Sequence, residues 1–198
     1  MRTVSNPHTQ PGRYEGLLSH TERYLGPVTH GQGPNGADGR NRGFAIGFHA
    51  HPEYPMVSAA TTGVRFQHVS ALLPEEFVIS ALPGQEDEAG YLLHVVADRV
   101  VRGGTGYEYG GGYVNAEPLI PGTGIEFLLA SPHPFVDDGF DVYCDDQGEP
   151  ALQFITLIPA TRAEFDFVRE RDNDADELLR LWESRDTDLL DIYRNSAV

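Results

Sequence analysis

The sequence lacks lysine. Its 14 basic residues are all arginine, against 30 acidic residues and a formal net charge of −16 over 198 residues. Contacts with nucleic-acid phosphates need clustered positive charge, so this balance argues against direct nucleic-acid binding. The excess of acid favours solubility, and it would also favour rapid capture of a basic partner. Solubility is the simpler explanation because it needs no partner.

Cysteine and long apolar runs are also scarce. Cys144 is the only cysteine, which excludes an intrachain disulfide framework and a thiolate zinc site. No stretch approaches the roughly 20 consecutive apolar residues that a membrane-spanning helix needs. The first residues lack the apolar run of a secretory signal. We therefore expect a cytoplasmic protein without a membrane segment.

The composition is that of a folded domain, with 40% hydrophobic and 10% aromatic residues. Apolar residues at helical spacing predict a helix over residues 11–25, which Gly26 and Pro27 end. Residues 29–42 are polar and rich in glycine, and we predict a mobile surface loop there. We accordingly divide the chain into an N-terminal helix with a flexible loop, 1–43, and one domain, 44–198.

The domain consists mainly of predicted strands, with one helix inserted among them and helices at its end. Runs with strand composition cover 44–50, 56–62, 64–70, 76–82 and 125–130. An amphipathic helix is predicted over 86–102, and residues 141–144 are predicted to pair with 152–158 through a turn. Because strands occupy the middle and helices the ends and one insertion, we predict a single α+β domain. Its sheet should be mixed, mostly antiparallel and flanked by helices.

The last third carries the clearest local signals. Residues 152–158 are almost all apolar, as in a strand covered on both faces, and Pro159 should end its pairing. Thr161 and Glu164 have the spacing of a capping box, and Asp174 caps a second helix. We expect one core that docks both C-terminal helices on the sheet. Its predicted members are Phe154, Ile155, Leu157, Phe165 and Trp182.

Five segments, in this order, carry a resemblance to a known family: 61–64, 76–83, 91–104, 117–123 followed by 127–132, and 188–198. They resemble the Suppressor of fused (SUFU) domain family, of the bacterial immunity-protein type. The resemblance covers about residues 44–198. Several motifs in the right order are far more specific than any one of them.

This resemblance implies a protein that binds other proteins and has no catalytic residue and no cofactor. Bacterial members of the family look like immunity proteins of polymorphic toxin systems, which bind and neutralise a cognate toxin. Animal relatives hold an extended segment of a transcription factor as an added strand. The expected partner is therefore a toxin domain, or alternatively an extended peptide held by an adaptor without a toxin.

An enzymatic alternative is a metal-dependent hydrolase built on His49, His51 and Glu53. Two histidines two residues apart on a strand would point the same way, and Glu53 could add a third ligand. The simpler interpretation is that a strand ends in a proline-rich turn with exposed histidines.

Four residues are predicted to contact the partner. Tyr107 and Tyr109 lie in the glycine-rich run 103–113, and tyrosines flanked by glycine make adaptable recognition surfaces. Arg65 and Phe66 lie in the predicted strand 64–70. Arginine and aromatic anchors typically carry most of the energy of an interface.

Overall fold

A single eight-stranded sheet organises this computed structural model, which describes residues 12–36 and 39–198. The strands are β1 Val28–Gln32, β2 Ala45–Ala50, β3 Val57–Thr62, β4 Glu75–Ala81, β5 Gly112–Val114, β6 Ile125–Ser131, β7 Val142–Cys144 and β8 Pro150–Thr161. The helices are α1 Leu17–Leu25, α2 Glu86–Gly103, α3 Arg162–Arg169 and α4 Ala175–Ser184. None of these described helices combines the length and apolar character needed to cross a membrane.

The strands run in the order β1-β2-β3-β4-β8-β6-β5, and β7 pairs with the first part of β8. The β4–β8 pair is parallel and the other pairs are antiparallel. β8 has 12 residues, long enough to pair with β4, β6 and β7 at different points along its length. The predicted α+β class with a mixed, mostly antiparallel sheet is confirmed.

Three separate hydrophobic cores replace the single C-terminal core that the sequence predicted. The first lies between the sheet and α2 and includes Ile155 and Leu157. The second lies on the opposite face beneath α1 and includes Phe154. The third lies between α3, α4 and the sheet and includes Trp182, with Phe165 half-buried against it. Alternate residues of β8 face opposite sides of the sheet, so neighbours in sequence enter different cores.

The predicted strand 64–70 is wrong. Val64–Phe66 forms one short 3₁₀ turn, and beyond it Ser70 makes a single bridge to Thr105. The backbone N–H groups of Gly63 and Val64 donate to the buried carboxylate of Glu76, at 2.7 and 3.3 Å. Because these two N–H groups donate to a side chain, they cannot donate to a neighbouring strand, and the chain turns here.

The predicted loop 29–42 contains most of β1. All five residues of this strand are exposed, and it pairs with β2 at the edge of the sheet. An exposed edge strand needs no alternation of apolar and polar residues, so the sequence carried no strand pattern there. Residues 1–11 and 37–38 of the predicted N-terminal helix and loop lie outside the described residues.

The predicted capping box at the start of α3 is confirmed, and its glutamate also holds the C-terminal tail. The fully buried carboxylate of Glu164 accepts hydrogen bonds from the backbone N–H of Thr161 at 2.7 Å and the indole of Trp182 at 2.9 Å. It also accepts from both terminal nitrogens of Arg194, at 2.7 and 3.0 Å, and from the N–H of Ala197. Burial opposes ionisation, but the hydrogen bonds and charge of Arg194 outweigh it and lower the pKa of Glu164.

Replacing Glu164 should destabilise the fold strongly. Glu164→Gln leaves the Arg194 guanidinium buried without a counter-charge, which typically costs about 3–5 kcal/mol in the free energy of unfolding. Urea unfolding at pH 7 measures this loss. Glu183→Gln, an exposed change on α4, is the control and should stay within about 0.5 kcal/mol of the unaltered protein. Equal effects of the two changes would contradict the assigned role of Glu164.

A third buried glutamate, Glu75, has no ion-pair partner among the described residues. It is 3% exposed, its carboxylate accepts one hydrogen bond from the N–H of Tyr107 at 3.3 Å, and it lies against Gly106. Burial raises its pKa from 4.5 to about 7, and the hydrogen bond offsets only part of this. The folded protein therefore keeps a proton on Glu75 that the unfolded chain releases above about pH 4.5.

This difference in proton binding predicts a pH dependence of stability. The contribution of Glu75 to the free energy of unfolding should fall as the pH rises from 4.5 to 7 and then level off, a loss of about 3 kcal/mol. Glu75→Gln removes this contribution, so its stability relative to the unaltered protein should rise over the same pH range. Urea titrations between pH 4.5 and 8 measure it, with exposed Glu117→Gln as the control. An identical pH dependence in Glu75→Gln would contradict the prediction.

Candidate functional site

A groove with a volume of about 550 Å³ opens between α1 and the adjacent face of β1, β2 and β3. Its wall on the helix side is formed by Tyr14, Leu17, Leu18 and Thr21. Its floor on the sheet consists of the small residues Gly31, Ala45, Gly47 and Ala60. Small side chains on the sheet leave space that α1 does not fill. The volume lies in the range typical of ligand sites.

His49 contributes a polar atom to this groove. The ring is 3% exposed, and its Nδ1 lies 2.8 Å from the carbonyl oxygen of Gly26. A carbonyl only accepts, so Nδ1 carries the hydrogen and Nε2 of the neutral ring carries a lone pair. Burial lowers the pKa of His49, with the Gly26 hydrogen bond opposing this, and the ring is neutral near pH 7. Nε2 has no hydrogen-bond partner among the described residues.

Arg65 closes one end of the groove and is held by Glu76. Its Nη1 donates to the Glu76 carboxylate at 2.6 Å, and both side chains are largely buried. The Thr61 hydroxyl donates to the same carboxylate at 2.6 Å. Because Glu76 also accepts from the backbone of the 64–66 turn, the ion pair and the turn form one rigid unit.

Two aromatic rings contact the Arg65 guanidinium. It lies 5.1 Å from the centre of the Tyr14 ring and 4.3 Å from that of Phe66, and the rings themselves meet edge to face. Phe66 is nevertheless 50% exposed. The predicted partner-binding residues Arg65 and Phe66 thus lie together, with an aromatic face fixed in position but open to solvent.

Tyr107 and Tyr109 lie elsewhere, in the loop between α2 and β5. The Tyr107 ring packs edge to face on Phe77 in the core beneath α2 and is half-buried. The Tyr109 hydroxyl donates to the carbonyl of Phe154 at 3.1 Å, and 38% of the residue is exposed. No described contact joins either tyrosine to Arg65 or Phe66, so the four residues do not form one patch. Their role in partner binding stays a prediction.

The predicted metal ligands are not brought together. β2 ends at Ala50, so His51 lies beyond the strand and does not continue its alternation. The His51 Nδ1 accepts the N–H groups of Glu53 and Tyr54, which turns the ring back on its own loop, while His49 bonds to Gly26. Within residues 12–36 and 39–198, no group of three or more histidine, cysteine or acidic residues could hold a metal ion. The geometry therefore does not support the hydrolase hypothesis.

Sequence reasoning missed a buried row formed by Ser58, Ser80 and His133. The two hydroxyl oxygens lie 2.7 Å apart, and Ser80 Oγ lies 2.9 Å from His133 Nε2. The N–H of Phe135 donates to Nδ1 at 3.2 Å, so Nε2 carries the hydrogen and donates to Ser80. Burial lowers the pKa of His133 to about 4. In this tautomer the imidazole donates to Ser80 and presents no lone pair to it. Because the members of the row are far apart in sequence, no local motif marks them.

Comparisons with known proteins agree on one family. The model of the Suppressor of fused protein (SUFU) family matches residues 44–195. No curated protein matches the sequence. A SUFU homologue from Neisseria gonorrhoeae FA 1090 has a similar crystal structure, with a TM-score of 0.63 and 20% identity over 94% of this chain and 97% of that one.

Two further crystal structures share the fold at lower identity. The Sufu–Fu complex gives a TM-score of 0.67 with 11% identity, over 95% of this chain and 93% of that one. Drosophila Suppressor of Fused gives 0.62 with 12% identity over 98% of this chain, which spans only 54% of the Drosophila protein. These likenesses confirm the fold that the sequence motifs indicated. Since the family model also matches most of its length, the chain belongs to the Suppressor of fused family.

Proposed function

We propose that this chain is a non-catalytic protein-binding domain whose partner is a toxin domain that it neutralises by direct, stoichiometric binding. Membership of the SUFU family supports the protein-binding role, since a chain with the same fold forms the Sufu–Fu complex. The resemblance to bacterial immunity proteins supports a toxin as the partner. Direct binding suffices for this function and requires no catalytic group.

The observation that carries the binding role is the half-exposed Phe66 ring on its fixed support. Interfaces gain most of their energy from a few aromatic and arginine anchors. A ring already held by Arg65 and Tyr14 loses little conformational freedom when a partner covers it. Arg65 itself is tied to Glu76, so its main contribution is to position Phe66.

The charge of the protein supports a basic partner. A net charge of −16 attracts a positively charged toxin over a distance of about one Debye length and raises the rate of encounter. The anchor then determines which surface binds.

Removing the anchor should weaken binding without unfolding the protein. Phe66→Ala should raise the dissociation constant for the toxin domain encoded beside this gene about tenfold or more, because the anchor ring is lost. Calorimetric titration measures the change, and thermal unfolding should be nearly unaffected because half of the ring is in solvent. Leu72→Ala is the matched control, since Leu72 is 90% exposed and does not line the groove. Equal losses for both changes would place the interface elsewhere.

Coexpression tests the toxin itself. Cells that produce the neighbouring toxin domain alone should die, and cells that also produce this protein should grow. Phe66→Ala should protect less well at the same expression level, whereas Leu72→Ala should protect fully. Killing that is equal with and without this protein would refute the immunity role.

A further inference from the structure

The groove between α1 and β1–β3 has the geometry of a small-molecule site. Tyr14 and Arg65 line it and also support Phe66, but Phe66 itself does not line it. We infer that it binds a small, uncharged, mostly apolar molecule that carries a hydrogen-bond donor and places this donor on Nε2 of His49. This ligand site does not depend on the identity of the toxin.

The floor of the groove has unused space. A Cβ added to Gly47 would meet a single non-neighbouring atom within 4 Å, Nε2 of His49 at 3.8 Å. Gly47 does not have the left-handed backbone conformation that favours glycine, so its backbone would accept a side chain. The missing side chain instead leaves room above the sheet and leaves the imidazole nitrogen uncovered.

The polarity of the groove selects a donor. The Thr21 hydroxyl donates to the carbonyl of Leu17 at 2.8 Å, and the Thr61 hydroxyl donates to Glu76, so both are already engaged. Among the buried polar side chains of the lining, His49 Nε2 remains as an acceptor, fixed by the bond from Nδ1 to Gly26. Because Nε2 is accessible from the groove, a ligand N–H or O–H can donate to it in place of solvent.

The opposite wall offers no accessible hydroxyl from Tyr14. The hydroxyl oxygen of Tyr14 is buried and has no hydrogen-bond partner among the described residues, and a molecule in the groove does not reach it. The groove thus combines a mostly apolar lining with the accessible Nε2 of His49, a composition found in sites that orient a small ligand.

The charges of the groove favour an uncharged ligand. Glu15 and Arg65 are the ionised residues among its described lining. Glu15 is exposed to solvent, and Arg65 is neutralised by Glu76. A charged ligand would lose its hydration in the groove without gaining a counter-charge.

Two matched probes test the donor requirement. Cyclohexanol carries an apolar ring and a hydroxyl donor, and cyclohexanone has the same ring but no donor. Titrations followed by ¹H–¹⁵N NMR should shift the amide signals of Gly31, Gly47 and Ala60, with cyclohexanol binding about fivefold more tightly. The inference fails if neither probe shifts these signals, or if the ketone binds as tightly as the alcohol.

Two variants locate the site. Gly47→Val places a side chain on the floor and should abolish binding of both probes. His49→Asn keeps an amide near Gly26 but removes the acceptor at Nε2, so the two probes should bind within about twofold of each other. Binding that persists in Gly47→Val overturns the site, and a preference for the alcohol that survives in His49→Asn overturns the role of Nε2. Should His49→Asn not fold, Gly47→Val and the probe comparison decide the outcome. Phe66 does not line the groove, so Phe66→Ala should keep the preference for cyclohexanol over cyclohexanone.

Discussion

The buried carboxylate of Glu76 sets the local geometry on which the candidate surface depends. It accepts hydrogen bonds from the end of β3, from the turn that follows and from Arg65, with the shortest contacts at 2.6 and 2.7 Å. A buried charge of this kind costs several kcal/mol unless it is fully paired, so these donors cannot move away singly. Arg65 therefore stays over the turn, and Phe66 stays against Arg65. The exposed ring owes its fixed position to a charge that solvent does not reach.

Residue size along β2 explains why one face of the sheet is filled and the other is open. Large and small residues alternate over residues 44–48. The large ones are Phe44, Ile46 and Phe48, and the small ones are Ala45 and Gly47. The alternation of a strand sends the large side chains to the α2 face and the small ones to the α1 face. α2 has 18 residues and covers its face, whereas α1 has nine. A short helix over small residues leaves a groove, and His49 is the next residue in the same alternation.

Local signals in the sequence predicted the fold class, the apolar run of β8 and the capped start of α3, because periodicity and capping spacing act within a few residues. The prediction that Pro159 ends the pairing of β8 is wrong. β8 continues to Thr161, and Pro159 pairs with Leu128 of β6 at a point where β4 no longer pairs with β8. The turn at 64–66 could not be predicted, since its hydrogen-bond acceptor, Glu76, lies ten or more residues away. The hydrogen bond of His49 could not be predicted for the same reason, because its partner Gly26 is distant in sequence. The local sequence had suggested His49 as a metal ligand instead. The sequence suggested Arg65 and Phe66 as partner-binding residues from their residue types. It could not show that Tyr14 contacts both side chains, because Tyr14 is distant in sequence.

The net charge acts on a partner before contact, whereas the groove acts on a molecule only once it is bound. Attraction between exposed charges is largely screened beyond about 8 Å at physiological ionic strength, so an excess of acid mainly raises the rate of encounter. The described lining of the groove holds only Glu15 and the neutralised Arg65 as ionised residues, so a ligand there would be selected by shape and hydrogen bonding rather than by charge. Phe66 is an apolar, half-exposed side chain that packs on the charged side chain of Arg65. An acidic protein can therefore attract a basic partner through its overall charge and still keep a neutral, apolar site beside the contact surface.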